Sequence, residues 1–294
     1  MKWFQIKEHS AGEKRLLLSW YLYKIFGKKM LYFIAFFVAF FTFIFAKDIR
    51  FYSKKYLTIM QDYINIKPSL LNQFMHIYSY ANALADKILL YAGDFDSNNL
   101  IFDNENDKAE LFKDINAKKG VFFICNHIGN IEVLQAFLLN RKENFKINIF
   151  LSRKQSTIFN SFLDKIKVDM PVKLFPVEDT DVNTGIELKE SLSSGNVVFI
   201  AGDRLAEAND KKNIEKIMYN HKLYLPKGTY KLAKLMEAPV YFISAIKEKN
   251  KYKIYIEKQK VLSEKELADN NIIFMKKMAE IAPLQFYHFY DFFL

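Results

Sequence analysis

Six short strand-like runs constrain this chain more than anything else in it: Val121–Cys125, Ile147–Leu151, Val172–Val177, Val197–Ala201, Val240–Ala245 and Lys253–Glu257. Each is too short for a buried helix and rich in the β-branched and aromatic residues that fit a pleated sheet. Between and after them lie stretches with helical spacing: Ile131–Asn140, Thr157–Lys165, Val182–Leu192, Lys227–Met236 and Glu264–Ile281. Strands separated by helices need crossover connections, and crossovers give a mostly parallel sheet. The expected fold is therefore α/β, a mostly parallel central sheet with helices on both faces. The last two runs, separated by Glu248-Lys249-Asn250-Lys251, read instead as a hairpin.

The N-terminal part has a different texture. Residues 1–29 are basic and amphipathic, and Met30–Ala46 then runs for 17 residues without a charge. A helix of that length reaches roughly 26 Å, slightly short of a ~30 Å hydrocarbon core. It is expected to anchor the chain in a membrane, spanning it or entering one leaflet. A cleaved signal peptide fits poorly, because the run begins late and lacks a small-x-small exit before Lys47. Lysines flank the run on both sides, so the positive-inside rule gives no orientation. Residues 51–92 read as helices, with Pro68 marking a start and Phe74, Ile77, Tyr78, Ala81, Leu84 and Ile88 on one face. Gly93–Lys119 is polar and reads as loop or short helix. The division expected is 1–50 as amphipathic and anchor segment and 51–294 as the main α/β domain.

The first strand-like run leads into the residues best suited to chemistry. It is expected to stop at Asn126, ahead of His127, a flexible Gly129 and, five positions after the histidine, Glu132. Open α/β sheets place their sites outside the carboxyl ends of the strands. His-x4-Glu there supplies a general base, His127, and a carboxylate, Glu132, able to orient it. The same histidine also suits a helix cap or a core hydrogen bond. Cys125 lies two residues earlier; a Cys–His nucleophilic pair is conceivable, and a small buried thiol is the commoner use of free cysteine.

Two later runs end in Ser152-Arg153 and Gly202-Asp203-Arg204. Arginine occurs at only five positions, and its fork of donors binds phosphate or carboxylate through two parallel bonds. Asp203 equally suits a structural ion pair with either arginine. Leu225-Pro226-Lys227-Gly228 reads as a tight turn opening a helix, and Pro239 opens the next strand. Leu205–Lys222, polar and without periodicity, reads as a mobile loop or a plain connection.

Composition bounds the partners. The net charge of +10 suits an anionic membrane, an acidic protein or a nucleic acid. Nucleic acid is the poorest of these, because it gives the apolar run and the strand-end residues no part. The single cysteine excludes an intrachain disulfide, fits a reducing compartment and rules out a cysteine-based zinc site.

Taken together, these blocks resemble the lysophospholipid acyltransferase superfamily, most closely its branch related to the bacterial lipid A biosynthesis (late) acyltransferases. The likeness covers nearly the whole chain. Trp3–Gly12 followed by an aromatic anchor resembles that branch's opening. Asn126-His127-Ile128-Gly129-Asn130-Ile131-Glu132 resembles its His-x4-acid motif, and Ser152-Arg153 its next arginine. Ala201-Gly202-Asp203-Arg204 resembles a block of one subgroup, as does the aromatic ending from Pro283, which has Phe286 and Phe293 where tryptophan is usual. Leu225-Pro226-Lys227-Gly228 and Ala238-Pro239-Val240 resemble later substrate-binding blocks.

The resemblance implies a glycerol-3-phosphate acyltransferase-like fold and an O-acyl transfer at the cytoplasmic side of a bacterial inner membrane. His127 and Glu132 would be catalytic. Asn130, Arg153, Asp203, Arg204, Lys227, Gly228 and Pro239 would bind substrate. No metal or redox cofactor is implied; an acyl-carrier-protein or coenzyme A thioester is the co-substrate. The acceptor would be a lipid or glycolipid, with a lipid A precursor as one candidate and an aryl-polyene or other lipid conjugate as another. The rival from a different class is a non-catalytic membrane-bound binding protein of the same fold.

Overall fold

The computed structural model describes residues 13–139, 145–166, 171–205, 212–260 and 263–294. The Trp3–Gly12 opening, Asn140 at the end of its expected helix, and 206–211 of the expected loop lie outside them. In chain order the strands are β1 (Leu100–Phe102), β2 (Val121–Gly129), β3 (Ile147–Leu151), β4 (Val172–Pro176), β5 (Val197–Ala201), β6 (Asn213–Met218), β7 (His221–Pro226), β8 (Val240–Glu248) and β9 (Lys251–Gln259). The helices begin with α1 (Glu13–Phe26), α2 (Lys28–Phe45), α3 (Lys47–Gln61), α4 (Leu70–Tyr91) and α5 (Glu105–Asn116). They continue with α6 (Glu132–Leu139), α7 (Arg153–Ile166), α8 (Val182–Ser193), α9 (Lys227–Met236) and α10 (Glu264–Ile281).

Seven strands form one sheet in the order β1-β9-β8-β2-β5-β3-β4, parallel throughout except for the β8–β9 hairpin. Alternation along each strand divides the core in two. Phe122, Ile124, Val198 and Ile200 join Leu188, Ala233 and Phe274 of α8, α9 and α10. Val121, Phe123, Val197 and Phe199 join Leu111 of α5 and Val133 of α6 on the other face. A sheet buried on both sides in this way needs continuously apolar strands, which is why the central ones were legible as runs.

Departures from expectation have local causes. β2 does not stop at Asn126 but continues to Gly129. Its register with β8 shifts between Cys125 and Gly129, and Ile128 pairs with Phe286 of the C-terminal tail. α7 starts at Arg153 rather than Thr157, because the Ser152 hydroxyl accepts the Gln155 N–H and so starts the helix early. Gly93–Lys119 contains β1 and the twelve-residue α5, begun by an Asn104 side-chain cap.

The expected loop Leu205–Lys222 holds a strand, β6, and the turn into β7. Tyr219 and Asn220, both at positive φ, form the two-residue turn that such hairpins require. The pattern was hidden because an inward position carries Lys216, which is buried and pairs with Asp269 at 2.5 Å.

The N-terminal helices pack on the rest rather than standing apart. α2 lies on α4 through Leu31, Ala35 and Ala39, each buried, and α1 meets α7 where Trp20 packs edge-on against Phe162. By length and composition α2 is apolar enough to cross a membrane.

Candidate active site

The carboxyl ends of β2 and β5 are clamped together before any reactive group is reached. Gly202 donates its N–H to the Cys125 carbonyl at 2.8 Å. Beside it, Asn126 and Asn271 exchange side-chain bonds at 2.9 and 3.1 Å, Asn271 donates to the Tyr230 hydroxyl, and that hydroxyl donates to the Gly202 carbonyl. A Cβ at Gly202 would lie 2.6 Å from Ile124 and 2.8 Å from Asn271. Only glycine lets the chain turn there so closely. The residue delivered by that turn is Asp203.

Asp203 is fully buried and faces His127. It accepts the His127 backbone N–H at 2.5 Å through Oδ2 and contacts the ring Nδ1 at 2.8 Å through Oδ1. Burial alone would raise this carboxyl's pKa. The imidazoles of His127 and His288 outweigh burial and hold it well below the usual carboxylate range. An ionised Asp203 can only accept, so Nδ1 of His127 carries the proton and Nε2 is left with its lone pair. The His127 side chain is one-third exposed. Arg204 Nη1 lies 3.5 Å from Nε2, with its guanidinium 5.8 Å from the Tyr290 ring centre.

The C-terminal tail closes the back of the site. Tyr287 donates its N–H to the His127 carbonyl at 2.8 Å. His288, fully buried, places Nε2 2.9 Å from Asp203 Oδ2, although neither ring nitrogen is aligned for a full hydrogen bond. Burial pushes the His288 pKa down to about 4, despite the neighbouring carboxylate, and the ring is neutral. The Phe286 carbonyl accepts a 2.7 Å bond from Nε2 of the buried His76 in α4, whose Nδ1 is 3.0 Å from the Ser53 hydroxyl.

The residues singled out from sequence divide sharply. His127, Asp203 and Arg204 are brought together. Glu132, the expected partner of His127, instead accepts from Lys87 of α4 at 2.6 Å. Burial would raise the Glu132 pKa, but the ammonium lowers it overall and keeps the carboxylate ionised. A lysine cation is a stronger partner for a carboxylate than a neutral imidazole, and Lys87 reaches it first. Asn130 is buried; its side chain donates to the Ala83 carbonyl and its N–H to Ala245, which ties β2 to α4 and β8. Arg153 pairs with Asp179 at the exposed start of α7.

Lys227 and Gly228 open α9, and the next two residues bind the carbonyls of Ala201 and Gly202. Lys227 lines an open groove of about 550 Å³ with Glu215, Lys234 and Glu264. Pro239 accepts the Phe122 N–H at the amino end of the strands, roughly 16 Å along β2 from His127. Its part is to start β8. Cys125 is buried with its thiol toward the Ile200 carbonyl, and burial pushes its pKa up, which leaves no nucleophilic thiolate.

Lys87, His288 and Tyr290 were missed by sequence. The only signal for the last two was the aromatic ending, which marks a packed tail without saying where it goes.

The arrangement is an oriented base whose Nε2 faces a fixed positive charge, the Arg204 guanidinium. It can take a proton from a hydroxyl and stabilise the negative charge that follows. His127, Asp203 and His288 also form the one group of imidazole and carboxylate donors, among the described residues, compact enough to hold a metal ion, with ligand atoms within 4.8 Å of one another. In the arrangement seen, a cation would have to displace the Nδ1 proton that Asp203 accepts. No family model matches the chain, and no curated protein matches it.

Proposed function

We propose that this chain is a membrane-associated O-acyltransferase with a glycerol-3-phosphate acyltransferase-like fold. It moves an acyl group from an acyl-carrier-protein or coenzyme A thioester to a hydroxyl of a lipid or glycolipid, at the cytoplasmic face of a bacterial inner membrane. The observation that carries this reading is His127 held by Asp203 through Nδ1, with Nε2 turned toward the Arg204 guanidinium. In the proposed reaction Nε2 removes the acceptor's proton as its oxygen attacks the thioester carbonyl. The tetrahedral oxyanion forms beside the Arg204 charge and collapses to the ester. Nε2 then returns the proton to the leaving thiolate, while Asp203 stabilises the transient imidazolium. Asp203 thus takes the orienting role that the His-x4-Glu spacing suggested for Glu132. The apolar α2 supports a lipid acceptor, and the +10 charge suits an acidic carrier protein.

The test is direct. Full-length protein in vesicles is incubated with a lipid extract and either thioester, and mass spectrometry seeks a lipid that gains one acyl chain. His127→Ala should lower the transfer rate by about 10³-fold or more. If no lipid gains mass with either donor, the acyltransferase reading fails.

A further inference from the structure

α2 is long enough to cross a bilayer, yet its packing argues for a different placement. Leu31, Ala35 and Ala39 are buried at four-residue spacing and face α4 along the helix. Contacts hold both ends: Tyr32 donates to Asp86 at 2.6 Å, and Phe43 packs on Phe74 with ring centres 5.9 Å apart. At 100° per residue, Phe33, Phe37, Phe40, Phe41 and Ile44 fall on the opposite side, and all five are exposed, by 39 to 59 %. That outer stripe is roughly 16 Å long.

For α2 to stand across a bilayer, α4 would have to go with it or let go. α4 cannot go. It carries His76 bound to the tail, Asp86 bound to Lys247, and Lys87 bound to Glu132, all fastening it to the sheet domain. Ionised and polar groups of that kind do not sit against hydrocarbon. Letting go would strip the Ala35–Ala39 stripe and leave buried Asp86 without its Tyr32 donor.

We propose that α2 lies in the plane of the membrane, its outer aromatic stripe sunk in one leaflet with anionic headgroups and its inner face kept on α4. The charges fit this placement. Lys28 and Lys29 precede the stripe and Lys47 and Lys54 follow it, and all four are exposed. In the plane, both sets reach the same anionic headgroup layer; in a crossing helix, each would face a different side. This deepens the membrane association proposed above and does not depend on the acyl chemistry.

The experiment reads which side each end of α2 faces. Full-length Lys29→Cys and Lys47→Cys variants are expressed and labelled with a membrane-impermeant maleimide. Inverted membrane vesicles and intact spheroplasts are compared. The unsubstituted chain, whose only cysteine is buried, is the blank. Both cysteines should label in inverted vesicles and neither in spheroplasts. Labelling of one cysteine from each side overturns the proposal, as does recovery of the protein in the soluble fraction. A second variant, Phe37→Glu with Phe41→Glu, should release the full chain from vesicles containing phosphatidylglycerol while its circular dichroism is unchanged; retention on the vesicles would also overturn it. Protein that labels as expected but transfers no acyl group would sink the acyltransferase reading and leave this one standing.

Discussion

At the scale of single residues, the informative fact is that two carboxylates compete for one histidine and the nearer cation decides between them. Lys87 occupies Glu132, so His127 is oriented by Asp203, 76 positions away in sequence. Asp203→Asn should therefore lower acyl transfer by about 10³-fold or more, since an amide no longer fixes the Nδ1–H tautomer. Glu132→Gln should cost about 1 kcal/mol of stability in denaturant unfolding and leave transfer within about tenfold. If the two variants lose activity equally with the fold intact, Glu132 is the orienting acid after all. Metal offers a separate check. Zinc ion should inhibit the proposed transfer by taking the place of the Nδ1 proton between His127, Asp203 and His288, and a chelator should leave the transfer rate of the purified protein unchanged. His127 was legible because it follows an apolar run. Its true partner was not, because a local His-x4-Glu spacing draws attention and a long-range pairing leaves no mark on the sequence.

Among elements, β2 and the C-terminal tail matter most. The strand's last residues gain an antiparallel neighbour only because Phe286 lies alongside Ile128, and Phe286 itself stacks on Tyr56 at 4.6 Å. Phe286→Ala should cost about 3–5 kcal/mol in unfolding experiments, as expected for a fully buried aromatic side chain. It should also lower transfer, because the same segment carries His288 to Asp203. The elements read correctly from sequence share one property. β3, β5, α9 and α10 coincide with the expected ranges because each has an uninterrupted apolar run or a clear helical face. β6 and the end of β2 were missed where a buried Lys216 or a register shift broke that pattern.

On the scale of the whole molecule, two buried neutral histidines tie the tail to the body and make the fold sensitive to acid. Burial brings both His76 and His288 down to about 4, against an ordinary value near 6.5. Between those values the unfolded chain binds protons that the folded chain refuses, so stability falls as pH drops from about 6.5 to about 4. Each histidine contributes a slope of up to about 1.4 kcal/mol per pH unit. Below that window the depressed Asp203 carboxyl adds a further loss as pH falls toward its own folded value. Urea midpoints measured across pH 4–8 should show this decline, and His76→Gln should flatten it. The wrap of the tail also sets a schedule for synthesis. The exposed aromatic stripe of α2 ends at Ile44, whereas the site is incomplete until His288 and Tyr290 have folded back. At ribosomal speeds that interval is roughly 10–50 s. A nascent chain that binds lipid through this stripe would therefore settle on the surface well before the proposed acyl-transfer site is complete.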